Sequence, residues 1–139
     1  SQDKAFQQLR AAEHLLQVTF PLVKDSKLLI GILHNLNAAL DYAMQAILQK
    51  EPTVPQSLNG KLHLLQSKYG IGKHFIELIR RVNEISSAHK DSPVVFTRGS
   101  RQVICTEKYQ MEVLSAGEMA SFIEQARDFL TLIEAVNRK

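Results

Sequence analysis

The side chains that could do acid–base chemistry in this chain are histidines, and they are spread over several predicted helices. They are His14, His34, His63, His74 and His89. His89 stands near the end of its predicted helix, after Arg80 and Arg81, so these three side chains are candidates for one site. On a continuous helix, Arg81 and His89 would lie about 12 Å apart along the axis and about 80° apart around it. The alternative is that His89 caps the helix end, where unpaired carbonyl groups favour a cation.

A second candidate is a polar stripe on the long helix predicted from Lys27 to Lys50. His34 and Asp41 share one side of this helix with Lys27 and Gln45. Side chains at such spacing form a row on a helix surface. The row is either a solvated or interface surface or a binding surface, and His34 and Asp41 are candidate partner-binding residues.

A third candidate is the positively charged tip of a predicted β element. Arg98 and Arg101 flank its turn and Lys108 lies nearby, with only Asp91 and Glu107 to offset them. A β-ribbon that carries arginines can dock on phosphates. Exposed turns are also basic for solubility, and charged edges prevent unwanted strand pairing. Arg98, Arg101 and Lys108 are therefore candidates for binding a partner, either a protein or a nucleic acid.

Other chemistries find no support in the sequence. Di-iron helical bundles use Glu-x-x-His pairs, and the chain contains none. Cys105 lies in an apolar strand pattern without an adjacent base, and the segment Tyr69-Gly-Ile-Gly-Lys73 lacks the spacing of a phosphate-binding loop. We predict no bound metal and no cofactor.

Composition sets the broad class. A chain of 139 residues with 45% hydrophobic residues suits a single domain over residues 1–139 with one core. Its 17 basic and 14 acidic residues are too balanced to predict a polyanionic partner. The single cysteine fits a reducing compartment, no apolar run approaches the roughly 20 residues of a membrane span, and the first residues lack a signal-peptide pattern. We expect a soluble cytoplasmic protein that does not associate with membranes.

Apolar residues at helical spacing predict four long helices and one short one. The clearest stripe comprises Leu29, Ile32, Leu33, Leu36, Leu40, Ala43 and Ile47. The first helix is predicted from Asp3, a candidate cap, to about Phe20, where Pro21 bends or ends it. The short helix is predicted from Ser57 or Gly60 to Lys68, and the third long helix from Lys73 to about His89. The last helix is predicted from Ser115 onward, with a Ser115–Glu118 capping box.

Between residues 91 and 114 the hydrophobic period changes from about 3.6 to 2, which predicts strands. The expected strands are 94–97 and 102–106, joined by a turn that contains Gly99, and a third around 109–113. The predicted fold is mainly α: an antiparallel four-helix bundle with one short extra helix, and a small β-hairpin or meander at about 93–114 between helices 3 and 4.

The helical scaffold and the segment Arg81-Val-Asn-Glu-Ile-Ser-Ser-Ala-His89 resemble the HEPN families. The resemblance implies a small, often dimeric helical bundle of the kind found in prokaryotic defence systems and beside nucleotidyltransferases. Ribonuclease members carry an arginine and a histidine separated by four to six residues. Here the gap is seven residues from Arg81 and eight from Arg80, and the β element is not a general feature of the family. These departures favour a non-catalytic member.

Two functional hypotheses follow from these patterns. The first is a non-enzymatic module that forms a homodimer through its helices and presents the β element or the polar stripe to a protein or nucleic-acid partner. The alternative is a HEPN-like ribonuclease of a defence or toxin system that uses Arg80 or Arg81 with His89. The ribonuclease requires the third long helix to break before His89 so that the side chains converge.

Overall fold

The computed structural model describes residues 1–91, 94–105 and 110–138. The protein is mainly helical and has one small three-stranded antiparallel sheet. In chain order the elements are α1 (Gln2–His14), a π-helical turn (Leu15–Thr19), α2 (Phe20–Val23), α3 (Leu28–Leu48), α4 (Leu58–Tyr69), α5 (Lys73–Asp91), β1 (Val94–Arg98), β2 (Arg101–Cys105), β3 (Met111–Leu114) and α6 (Ala116–Asn137). The sheet therefore follows α5 and precedes α6. These are the third and fourth of the predicted long helices, but in chain order the sheet follows the fifth helix, so the predicted position between helices 3 and 4 is corrected.

The first helical segment differs from its prediction at both ends. Its N-cap is Ser1, without a side-chain hydrogen bond, and Asp3 lies inside the first turn. Helical structure also continues through Pro21 to Val23. Pro21 therefore does not end the helix, which extends beyond the predicted end at about Phe20. A π-helical turn precedes the proline, in which the Phe20 N–H donates to the carbonyl five residues earlier. This wider turn explains how the chain accepts a proline, which lacks an N–H and crowds the preceding turn of an α-helix.

Helix α3 is the central element of the core. Every residue of its predicted apolar stripe is buried, which confirms the stripe. The helix contacts α1, α5 and α6. Its buried side chains belong to one cluster to which all the other long helices contribute. Burial of this kind is the main source of stability for such helices.

Hydrogen bonds between helix ends give the helix directions. Asn137 at the end of α6 lies 3.5 Å from Gln2 at the start of α1. Arg127 of α6 pairs with Glu13 near the end of α1. The two helices therefore run antiparallel. The start of α3 likewise lies beside the end of α5, where His34 meets His89.

The loop between α3 and α4 is fastened by a carboxylate. The largely buried Glu51 accepts hydrogen bonds from Lys68 and Tyr69, at the end of α4, and these hold the pKa of Glu51 below its ordinary value. Ser57 caps α4 by accepting a hydrogen bond from the Gly60 N–H at 3.0 Å. Gly70 ends α4 with φ of +64°, a conformation that glycine adopts without steric cost.

The three strands lie in the order β1-β2-β3. The first two predicted strands, 94–97 and 102–106, agree with β1 and β2 to within a residue at the ends that the structure describes. Thr106 and Tyr109, which stand at ends of the second and third predicted strands, lie outside the described residues. Gly99, with φ of +62°, opens the two-residue turn between β1 and β2. Ser115 caps α6 by accepting from the Glu118 N–H at 3.2 Å, as the capping box predicts. The Glu118 Oε1 atom is buried without a hydrogen-bond partner in the described part of the chain.

Candidate functional site

The structure does not bring the arginines and the histidine of the ribonuclease hypothesis together. Helix α5 continues past His89 to Asp91, so the break that the hypothesis requires is absent. Arg80 is exposed. Arg81 donates two hydrogen bonds, of 3.1 and 3.0 Å, to the carboxylate of Glu112 in β3. These bonds raise the pKa of Arg81 and anchor the sheet to α5.

His89 instead joins His34 of α3. Nδ1 of His89 lies 3.3 Å from Nε2 of His34, and the ring centroids are 5.1 Å apart. The Oγ atom of Ser86 lies 3.3 Å from the other ring nitrogen of His34. Ser86, His34 and His89 therefore form a hydrogen-bonded chain between α3 and α5, which we call the Ser–His–His chain.

The surroundings of His34 favour its neutral form. Burial lowers the pKa of His34 first, and the nearby His89 and Lys90 lower it further. A cation in this position would be only partly hydrated and would face other positive charge. Sequence reasoning placed His34 on the polar stripe but did not identify Ser86 or His89 as its partners, because they are 52 and 55 residues away along the chain.

A cavity of about 310 Å³ lies beside the Ser–His–His chain and is called the α3–α5 cavity. It is lined by His34, Asn37, Ala38, Leu40, Asp41 and Met44 of α3, Leu58 of α4, and Ile79, Asn83, Ser86 and Lys90 of α5. Both candidate residues of the polar stripe, His34 and Asp41, therefore line one cavity. A smaller cavity of about 230 Å³ adjoins it and also contacts Asp41 and Met44.

The sheet has an inner face that is fixed to the helices. Ile104 and Leu114 belong to the hydrophobic core. The buried Gln102 accepts a hydrogen bond from the Ser26 hydroxyl at 3.2 Å, and Glu112 holds Arg81. Because successive side chains of a strand point to opposite faces, these contacts also determine which residues lie on the other side.

The other side, called the outer sheet face, carries apolar side chains and two arginines. Phe96, Val103 and Val113 form one row across the three strands. Val103, in the middle strand, is buried. Phe96 and Val113 are 39% and 42% exposed, and Met111 beside them is 60% exposed.

The charges of this face lie at the turn. Arg98 and Arg101 are exposed and directly opposite each other in the strand register. Lys108, the third predicted residue of the basic tip, lies outside the described residues. The structure therefore brings Arg98 and Arg101 together, and it places them on the same sheet face as the apolar row.

In the part of the chain that the structure describes, neither the α3–α5 cavity nor the outer sheet face contains a candidate metal centre. In residues 1–91, 94–105 and 110–138, no group of three or more His, Cys, Asp or Glu side chains could hold a metal ion. None of the helices in these ranges is both long and apolar enough to cross a membrane. No family model, curated protein or solved structure matches the chain.

Proposed function

We propose that this chain is a non-enzymatic interaction module, in which an antiparallel bundle of four long helices supports a sheet that binds a protein partner. The outer sheet face is the binding surface. The partner that fits it presents acidic side chains beside apolar ones. The observation that carries the proposal is the exposure of Phe96, Met111 and Val113 on the outer strands of the sheet face opposite the one that packs on the core.

The apolar part of the face supports a protein partner. Single exposed apolar residues are ordinary on protein surfaces, but a contiguous group of them marks an interaction site. Methionine and valine side chains gain from contact with apolar groups and offer nothing to a phosphate. A nucleic acid could stack a base on Phe96 but would leave Met111 and Val113 without complementary contacts.

The charged part of the face supports an acidic partner. Arg98 lies directly opposite Arg101, and like charges in this register destabilise a strand pair. Neither arginine forms an ion pair with an acidic side chain within the described ranges. A carboxylate of a partner placed between them would relieve the repulsion and accept charge-assisted hydrogen bonds.

The proposal includes a homodimer formed through helices. The apolar stripes of the long helices are used within one chain, so the remaining helical surface for self-association is the exposed group Val18, Leu22 and Val23 around α2. Leu22 is the most exposed of these, at 80%. Two copies that pack this segment together would leave both sheets accessible to partners.

The test is a selection of binding peptides from a random display library on the native chain. The enriched peptides are expected to combine Asp or Glu with apolar residues. Arg98→Ala/Arg101→Ala is expected to bind them at least about tenfold more weakly, because two charge-assisted contacts are lost. Arg10→Ala/Lys50→Ala is the matched control: both residues are exposed and lie far along the chain from the sheet, and the net charge changes equally.

Three outcomes would overturn the proposal. Peptides that bind both double variants equally well would exclude the outer sheet face. A mixed RNA pool that binds in preference to the peptides, with affinity falling steeply as salt rises, would indicate a nucleic-acid partner. RNA cleavage that is lost in His89→Ala would support the HEPN-like ribonuclease, with Arg80 or Arg81 and His89 contributed by different copies.

A further inference from the structure

We propose that the α3–α5 cavity binds a small zwitterion, with a carboxylate at the Lys90 end and an ammonium or guanidinium group at the Asp41 end. A basic amino acid has this chemistry. The site is separate from the outer sheet face, so either proposal can fail without the other.

The cavity has the size and lining of a small-ligand site. A volume of about 310 Å³ is at the lower end of the range for such pockets. Its lining includes the apolar side chains of Leu40, Met44, Leu58 and Ile79 together with polar groups of α3 and α5. A few polar groups in a largely apolar pocket are the usual means of fixing the orientation of a small ligand.

One end of the cavity attracts an anion. Lys90 and His34 line this end together with the hydroxyl of Ser86. The positive charge of Lys90 lies close enough to His34 to lower its pKa. A bound carboxylate would be neutralised by Lys90 and would accept hydrogen bonds from the neighbouring groups.

The other end attracts a cation. Asp41 lies seven residues after His34 on α3, which corresponds to about 10 Å along the helix axis. The side-chain amide of Gln45 donates to Asp41 Oδ2 at 2.9 Å and so orients the carboxylate. The separation between the two ends suits a molecule whose charged groups are connected by several carbon atoms.

The middle of the cavity suits the remainder of such a ligand. Asn37 and Asn83 line it from opposite helices, and each amide offers both donors and acceptors. An α-amino group can be held by an asparagine oxygen, while the alkyl chain of a lysine or arginine lies over Leu40 and Ile79. A cavity with opposite charges at its two ends and amide groups between them suits a zwitterion better than a simple anion.

The test is isothermal titration calorimetry of the full chain with L-arginine and with L-lysine near pH 7. Saturable binding of at least one of them is expected. Asp41→Asn and Lys90→Met are each expected to weaken it about tenfold or more, since each removes one charge-assisted contact. Agmatine, which is arginine without its carboxylate, is expected to bind the native chain at least about tenfold more weakly than arginine does. To Lys90→Met, agmatine and arginine are expected to bind with equal affinity.

Lys50→Met is the matched control, because Lys50 is exposed just after the end of α3 and does not line the cavity. Far-ultraviolet circular dichroism verifies that each variant is folded. The proposal is overturned if neither amino acid binds saturably, if agmatine binds as well as arginine, or if Lys50→Met weakens binding as much as Lys90→Met does.

Discussion

His34 has a partner on each side of its ring, and this determines its behaviour. Ser86 engages one nitrogen and His89 the other, while Lys90 adds positive charge nearby. Asp41 is the acidic group that lines the same cavity from α3, and α4 contributes only Leu58 there. The result is a half-buried histidine that stays neutral where an exposed histidine would begin to ionise.

The lowered pKa of His34 predicts a pH-dependent stability. The unfolded chain binds a proton at His34 more readily than the folded chain, so acid favours unfolding. The contribution is fully present above the ordinary histidine pKa of about 6.5. It falls as the pH drops through that value and is lost once the pH passes below the folded-state pKa. In His34→Gln, the free energy of unfolding should therefore fall less between about pH 8 and pH 5 than in the native chain.

Urea unfolding at both pH values measures this difference directly. His63→Gln is the control, because it removes an exposed histidine of α4 that takes no part in the Ser–His–His chain, and so shows the effect of losing a histidine elsewhere. If the native chain and His34→Gln lost the same free energy of unfolding between the two pH values, His34 would not be the source of the pH dependence.

The sequence could identify the position of His34 but not its network. Its spacing relative to Leu33 and Leu36 indicates a position beside the apolar stripe, and the structure places it there. The contacts of His34 with Ser86 and His89 depend on the position of α5 along the axis of α3. No local sequence pattern specifies that position. The same limit applies to Arg81, whose partner Glu112 lies in a different element.

The sheet depends on its attachments to the helices. Three strands of five, five and four residues have little stability alone. The core side chains of the inner face supply most of the attachment, and two polar contacts fix its position. These are the Ser26–Gln102 hydrogen bond and the double hydrogen bond from Arg81 to Glu112.

Replacing Glu112 with glutamine is expected to lower the free energy of unfolding by about 0.5–1 kcal/mol. The pair is partly exposed, so solvent screens it, but its two-bond geometry puts it above an ordinary surface pair. Arg81→Lys should lose a similar amount because an ammonium cannot make both bonds. Chemical denaturation measures both.

Glu77→Gln is the control for this pair. Its partner Lys73 is four residues away on the same helix, at 4.0 Å, and both side chains are well exposed. We expect a change close to zero there. A loss at Glu77 as large as that at Glu112 would mean that removal of a negative charge, and not the Arg81 contact, is responsible.

At the scale of elements, side-chain periodicity predicted the helix stripe and the strand positions, whereas the proline did not locate the end of the first helix. The stripe of α3 and the strand positions follow from side-chain burial on one face, which leaves a repeating pattern in the sequence. The bend or end expected at Pro21 follows from a local rule that assumes α-helical hydrogen bonding. The π-helical turn just before the proline changes that geometry, and no residue type in 15–19 signals it.

The whole molecule is expected to form a dimer. Leu22→Ser/Val23→Ser removes the most exposed apolar side chains of the helices and should give a monomer, because the proposed contact between copies would bury them. Light scattering coupled to size-exclusion chromatography measures the mass. Met111→Ser, on the outer sheet face, is the control and should leave the mass unchanged. A native monomer, or dissociation by Met111→Ser alone, would contradict a helical interface.

The π-helical turn at Leu15–Thr19 also determines where the chain can change its length. Within an α-helix, loss of one residue rotates everything that follows by about 100° and turns buried side chains outward. A π-helical turn already holds one residue more than an α-helical turn. Deletion of the exposed Gln17 would convert the turn to ordinary α-helix and keep α1 and α2 in register with α3. At this turn, therefore, the chain can gain or lose one residue while the core contacts of α1 and α2 stay the same.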